Sequence, residues 1–352
     1  MLLDVIRLLL HLVANNKNYN TCFVLFFFNN YNKIVLGDFV KNLNVVFMGT
    51  PDFSVPVLNV LIENCNVVGV VTQPDKEVGR HRELSFSPIK KVALENDIKV
   101  LQPVKIREEY QEIIDLNPDI IITCAYGQII PKVLLDFPKY KCVNVHASLL
   151  PKYRGGAPIH RCIINGEKET GITIMYMDVT MDSGDIISQE KVNISDDMCV
   201  GELHDILSVL GSKLLIDTLP KIISGDINPI KQDESLVSFA KVIKREDEVL
   251  DFNDTTLNIY NKIRGLNPFP GAYSVMDGKI VKIYKARMGK NLSKALPSQV
   301  VNIYKDGFAI KTIDGEIIVE ELKVEGKKKM DATSFLNGVD KDSFLGKLFT
   351  KE

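Results

Sequence analysis

Asn144 and His146 stand two residues apart in the run Asn144-Val-His-Ala-Ser-Leu-Leu-Pro151. On a strand, side chains alternate with period two, so both project to the same face. One amide donor and one imidazole then point at the same reacting atom. That pair suits acyl transfer to an amine: the amide steadies a developing oxyanion, and the imidazole handles the proton. Three carboxylates follow, Asp178, Asp182 and Asp185, the last two within Asp182-Ser-Gly-Asp185. Spacing does not choose among them, and such a turn also serves as an N-cap or tight turn. Arg154, Gly155 and Gly156 make a loop from which a cation reaches a carboxylate or phosphate.

Metal chemistry has no support in the pattern. The five histidines never form HxxxH or HExxH. The six cysteines (Cys22, Cys65, Cys124, Cys142, Cys162 and Cys199) never form CxxC, and several sit in apolar, strand-like runs. Buried free thiols in a reducing compartment are expected, and no metal. With 45% apolar and 25% charged residues and a net charge of −2, the 352-residue chain reads as an ordinary globular protein of two domains. A nucleic-acid partner would need local basic patches.

The elements that position these residues alternate. Short apolar runs at Val45–Met48, Val67–Val71, Lys99–Leu101, Asp119–Thr123 and Cys142–Val145 read as strands. Helical patterns lie between them, at Ile89–Glu95 and Glu108–Leu116, and Gly49-Thr-Pro-Asp52 opens a helix with Pro56 in its first turn. This is an α/β pattern with a doubly wound, Rossmann-like parallel sheet. Gly49-Thr-Pro-Asp-Phe-Ser lacks GxGxxG, which argues against a nicotinamide cofactor. Two further strands, Gly171–Met177 and Ile186–Val192, flank Asp182–Asp185. Val200–Leu219 reads as a long helix that Pro220 kinks or ends, and Thr255–Arg264 as a shorter one. Five short strands follow between Ala272 and Leu322, with Asp277-Gly278, Asp306-Gly307 and Asp314-Gly315 at turns. They predict a small C-terminal β-barrel of OB-like kind.

Residues 1–42 differ, with eight Asn and neither Ser nor Pro. Their apolar runs are too short to span a bilayer, and a signal or transit peptide does not fit. We expect a dispensable extension, of the sort an AT-rich upstream sequence would encode. The expected divisions are 1–42 extension, 43–230 catalytic domain, 231–248 linker and 249–345 barrel.

From Leu43 to Lys329 the chain resembles the folate-dependent formyltransferases. The matching stretches are VVFMGTPDFSVPVL, VVGVVTQPDKEVGR, TCAYGQIIP, NVHASLLPKYRGGAPIHR, ETGITIMYMDVTMDSGDII, QDESLVSFAKVI and GLNPFPGAY. NVHxSLLPxxRGxxP is shared across those enzymes. GTPDF, TQPD and GxAPIHR, with a barrel-like tail, tilt the likeness to the methionyl-tRNA formyltransferases. The resemblance implies that the α-amino group of methionine on initiator tRNA attacks the formyl carbon of 10-formyltetrahydrofolate, with no metal. It selects Asp182 as the catalytic aspartate beside Asn144 and His146. It implies a folate site at Ser148, Leu149, Leu150 and Pro151, with Tyr126, Gly127 and Gln128 on the same cleft. It implies tRNA contacts at Arg80 and Arg82, where His81-Arg82-Glu83 departs from the Gly-Lys-Lys of many relatives, and basic linker residues Lys241, Lys244 and Arg245 extend that track. His160 and Arg161 read as a solvated helix face. The implied protein is a cytoplasmic monomer without a membrane partner. The alternatives are formylation of a small amine such as an amino sugar, formyltetrahydrofolate hydrolysis, or tRNA binding without catalysis.

Overall fold

A computed structural model of the chain describes residues 40–78, 83–290 and 293–351. Its first half is built on seven strands: β1 (Asn44–Gly49), β2 (Asn66–Val71), β5 (Val100–Leu101), β6 (Ile120–Cys124), β7 (Cys142–His146), β8 (Glu169–Tyr176) and β9 (Ile186–Asn193). A separate hairpin, β3 (Lys76–Val78) with β4 (Glu83–Ser85), stands outside this sheet. The spatial order is β5-β2-β1-β6-β7-β8-β9. The first five are parallel, while β8 and β9 pair antiparallel, so the expected parallel sheet carries an antiparallel edge. Chain order reverses between β1 and β6, and in such sheets ligands bind outside the carboxyl ends of the strands at that point.

Period-two alternation divides the core. Val45, Phe47, Ile120 and Ile122 face one buried cluster, and Val46, Met48 and Ile121 the other. The first cluster is covered by helices α1 (Val55–Asn64), α2 (Pro88–Glu95), α5 (Pro158–Ile164) and α6 (Val200–Ser224). The second is covered by the short helices α3 (Gln111–Asp115) and α4 (Lys132–Asp136). Val40, within the segment set apart by composition, is buried in the first cluster.

Two helices differ from expectation. The pattern over Glu108–Leu116 yields only Gln111–Asp115, because the Glu109 carboxylate accepts from the Val104 and Lys105 amides and folds the approach into a turn. Helix α6 runs through Pro220 to a left-handed cap at Gly225. Proline forfeits one hydrogen bond there. Leu219 and Ile222, buried on either side of it, hold the helix to the sheet.

The second half has its own core. Helix α7 (Thr256–Gly265) precedes β10 (Ala272–Met276), β11 (Lys279–Gly289), β12 (Val300–Ile303), β13 (Phe308–Lys311) and β14 (Glu316–Val324), in the order β10-β11-β14-β13-β12. Asp277 and Gly278 both have positive φ, as the tight β10–β11 turn requires. Three small elements had no reading in the sequence: β15 (Met330–Asp331), which pairs with β14, and helices α8 (Ala332–Leu336) and α9 (Lys341–Phe344). The tail beyond them joins the sheet's edges. Thr350 exchanges backbone hydrogen bonds with Val275 of β10, at 2.8 and 2.9 Å, while Leu348 bridges Gln299 beside β12. Between those bridges Phe349 is fully buried and meets the Phe308 and Phe252 rings at 5.9 and 6.2 Å.

The halves are joined by specific contacts. Arg161 forks onto Asp247 at 3.2 and 2.8 Å, and Arg264 donates to the Ser195 and Met198 carbonyls. Arg161 is therefore a joint between the halves rather than part of a solvated face. Its neighbour His160 is half-buried, contacts the Phe269 carbonyl at 3.3 Å, and has its pKa lowered chiefly by desolvation. Among the described residues no helix is long and apolar enough to cross a membrane.

Phe349→Ala removes the side chain that seals the closed sheet. It should cost about 3–5 kcal/mol, read as a lower denaturation midpoint of the purified protein. A midpoint within experimental error of wild type would show that the tail is not part of the core.

Candidate active site

Strand β7 delivers Asn144 and His146 to the carboxyl end of the sheet, one strand from the point where chain order reverses. Thr123 on β6 lies in register with Asn144. Its hydroxyl donates to Asn144 Oδ1 at 2.8 Å. An amide whose oxygen is held in this way presents its NH2 group away from β6, as a donor for an incoming oxygen. Thr123 had no signal in the sequence. It stands 21 residues from Asn144 and meets it only through sheet pairing.

His146 is buried at 6% exposure and held from two sides. Its Nε2 lies 3.0 Å from the Tyr153 carbonyl, which can only accept, so this nitrogen carries a hydrogen. Its Nδ1 faces Asp182 Oδ2 at 3.7 Å. Of the three aspartates left open by spacing, Asp182 is the one whose carboxylate meets His146. The Asp178 carboxylate instead accepts from the next amide, that of Val179, at 2.6 Å. Asp182 occupies the left-handed region at φ 52°. Its Oδ2 accepts from the Gly155 amide at 2.8 Å. Gly155 itself has φ 123°, and a Cβ there would lie 2.7 Å from the Ala240 carbonyl oxygen. Glycine alone allows that approach.

The segment Ser148–Pro151 packs beneath these groups. Thr173 accepts from the Leu150 amide and donates to the Ser148 carbonyl, at 3.1 and 2.6 Å. Gln189 donates to the Leu150 carbonyl at 2.9 Å, and the Ser148 hydroxyl to the Lys152 carbonyl at 2.7 Å. Ser148 and Leu150 are buried, while Leu149 and Pro151 are half-buried. The first two are framework, and the latter two keep part of their surface exposed.

Two expected cleft residues face elsewhere. The Tyr126 ring enters the second core cluster, beside Ile106 and Ile113, because Ala125 and Gly127 both take positive φ and turn the chain inward. Among the described residues its buried hydroxyl has no hydrogen-bond partner, and burial pushes its pKa up. The Gln128 side chain accepts from the Ile106 amide and donates to the Pro103 carbonyl, so it staples a neighbouring loop. Gly127 stays beside Gln73, at the edge of the cleft.

Arg154 is buried and fully engaged, with Gln232 at 3.0 Å and Glu234 at 2.8 and 3.3 Å, so it is structural rather than a free ligand contact. Among the basic candidates, Arg80 and Arg82 lie outside the described residues. Lys244 pairs with Glu246 at 3.5 Å, and Arg245 with Glu248 at 2.6 Å while covering the Tyr273 ring. Lys241 is exposed and has no acidic partner among the described residues. Of two further basic residues, Lys262 is half-buried and Arg264 buried, and both are bonded to backbone or neighbouring side chains.

Cys65, Cys124 and Cys162 are buried thiols with pKa values pushed up to about 12 by desolvation, which leaves them inert as nucleophiles. Among the described residues no group of three or more His, Cys, Asp or Glu side chains is placed to hold a metal ion.

The chain matches the Formyl transferase family over residues 41–219 and the Formyl transferase, C-terminal domain family over residues 242–340. A methionyl-tRNA formyltransferase of Bacillus subtilis (strain 168) is 51% identical over 298 residues, covering 84% of this chain and 94% of that protein. One of Clostridium novyi (strain NT) is 47% identical over 299 residues, covering 84% and 97%. Among solved structures, an N-formyltransferase from Helicobacter canadensis in complex with folinic acid and dTDP-3-aminofucose superposes with a TM-score of 0.59 at 23% identity. The match covers 79% of this chain and 98% of that one, and it bears on the fold alone.

The orphaned hydroxyl makes one outcome calculable. A buried, unpaired polar group costs about 1–3 kcal/mol, so Tyr126→Phe should raise the denaturant midpoint by an equivalent amount and leave turnover intact. A destabilised or inactive Tyr126→Phe would mean that the hydroxyl has a partner in the working protein.

Proposed function

The chain belongs to the formyl transferase family, and from that premise we propose that it transfers the formyl group of 10-formyltetrahydrofolate to the α-amino group of methionine on initiator tRNA. The observation that carries the chemistry is the Asn144 amide, held through its oxygen by Thr123 beside a His146 that faces Asp182. The tRNA substrate follows from relatives of about half-identical sequence that are named for it and match over nearly their whole length.

The amine lone pair attacks the formyl carbon, and the carbonyl π electrons move to oxygen. Asn144 Nδ2 donates to that oxygen as it becomes negative. Preorganised donors act strongly here because they need no reorganisation during the reaction. The attacking nitrogen sheds a proton to His146, and the Asp182 carboxylate offsets the charge formed on the ring. When the tetrahedral centre collapses, the bond to the folate nitrogen breaks and that nitrogen takes up a proton. Formyl-methionyl-tRNA and tetrahydrofolate leave, and no covalent bond to the protein forms.

Leu149, Pro151 and the backbone at Gly127 are the proposed walls for the flat folate ring, with Ser148, Leu150, Tyr126 and Gln128 supporting them from behind. Arg80, Arg82, Lys241, Lys244 and Arg245 are the proposed phosphate contacts. On this reading the protein works in the cytoplasm, as a monomer, and needs no metal.

Asn144→Ala and His146→Ala should each lower turnover by about 10²-fold or more, with little change in folate affinity. Near-normal turnover of either variant with charged initiator tRNA would end this assignment. The same assay with free amino sugars in place of tRNA tests the small-amine alternative, where no product is expected.

Of the proposed contacts Lys241, Lys244 and Arg245, Lys241 is the one without an acidic partner among the described residues, so it is the most available of the three to phosphate. Lys241→Ala should raise KM for tRNA and flatten the salt dependence of tRNA binding by about one unit of log–log slope. Lys244→Ala and Arg245→Ala, whose charges are partly neutralised, should show less. An unchanged slope for Lys241→Ala removes this residue from the contact surface.

A further inference from the structure

The polar stretch after β9 and α6 does more than connect. From Ile230 to Ala240 it runs as a strap across the loop and the turn that hold His146 and Asp182. Ile230 exchanges two backbone hydrogen bonds with Ile186, both 2.8 Å. The Ser238 carbonyl accepts from the Arg154 amide, Ala240 N donates to the Arg154 carbonyl, and the Ser238 hydroxyl accepts from Tyr153 N. Tyr153 is the residue whose carbonyl holds His146 Nε2.

Gln232 is the side chain at which these ties converge. Its Nε2 donates to the carbonyls of Asp182 and Gly184, both at 2.8 Å. Its Oε1 accepts from Arg154 Nε at 3.0 Å. The residue after Arg154, Gly155, donates its amide to the Asp182 carboxylate at 2.8 Å. A closed circuit results, from the Asp182 carbonyl through Gln232, Arg154 and Gly155 back to the Asp182 carboxylate. It holds the backbone and the side chain of Asp182 together. That matters because Asp182 occupies a left-handed conformation that is uncommon for a non-glycine residue.

We propose that Gln232 is a positioning residue for Asp182: through both amide hydrogens and its oxygen it sets where the carboxylate stands relative to His146. The proposal rests on the formyl-transfer reading of Asn144, His146 and Asp182. Glutamine suits the task by chemistry. It presents two donors to two carbonyls and an acceptor to a guanidinium from one planar group. Glutamate of the same shape would offer no donor to the carbonyls.

The test is a double-mutant cycle on the full chain, with steady-state kinetics for formyltetrahydrofolate and charged initiator tRNA. Gln232→Glu should lower kcat by about tenfold or more, with KM for both substrates near wild type. In an Asp182→Asn background, the same change should have almost no further effect on kcat, because the group it positions is already lost. Gln232→Met, neutral and of similar size, should repeat both results and separates loss of donors from added charge. If Gln232→Glu and Gln232→Met keep wild-type kcat, or lower it by the same factor with and without Asp182, Gln232 does not act through Asp182 and the proposal is overturned. If Asp182→Asn alone keeps full turnover, the reading of the active site has failed instead.

Discussion

Strand β7 is paired on both edges, with β6 parallel on one side and β8 antiparallel on the other. A slip of one residue in either ladder would send Asn144 and His146 to the opposite face of the sheet. The slip would also move Val143 and Val145 out of the cluster they share with β1 and β6. Apolar burial along the strand therefore enforces the direction of its two polar side chains. The same register sets Thr123 opposite Asn144, so the orientation of one amide is a by-product of how the sheet hydrophobes pack.

What β7 cannot supply is the far side of the site. His146 needs a fixed ring and Asp182 a fixed carboxylate, and both depend on loops outside the strand. Tyr153 anchors its loop in the first core cluster, and that loop and the turn at Asp182–Gly184 are also held by hydrogen bonds from the strap. Hydrogen bonds are directional and local, which suits holding atoms at set distances. They also demand that every buried donor and acceptor find a partner, and Arg154 shows this by engaging Gln232 and Glu234 together.

The sheet was legible because strands and helices announce themselves by period, and β1, β2, β6 and β7 fall within a residue or so of the apolar runs. The pairing of Asn144 with His146 on one face was legible for the same reason. Thr123, Thr173 and Gln232 were not, since each reaches its partner across 16 or more residues through the fold rather than along the chain. Residue type misled where a group was expected to meet ligand and meets the protein instead. Tyr126 and Gln128 belong to the correct loop, but positive φ at Ala125 and Gly127 turns one side chain inward, and backbone groups at Pro103 and Ile106 claim the other. Arg154 likewise satisfies a glutamate and a glutamine. Local rules left Pro220 as either a kink or an end, and burial of the turns around it carries the helix past it.

The pairing of Thr350 with Val275 gives the second half of the molecule a particular order of assembly. The outer edge of β10 is met from upstream at Tyr273, whose carbonyl accepts from the Leu250 amide at 2.7 Å, while its far end at Val275 pairs with Thr350, made 75 positions later. The α/β half has all of its strands by Asn193 and can settle first, as N-terminal domains generally do during translation. Until the tail arrives, the far end of β10 and the start of β12 present open edges to other nascent chains, a template for unwanted pairing. Slow decoding over the last stretch of message would lengthen that exposure without altering a single contact of the finished protein.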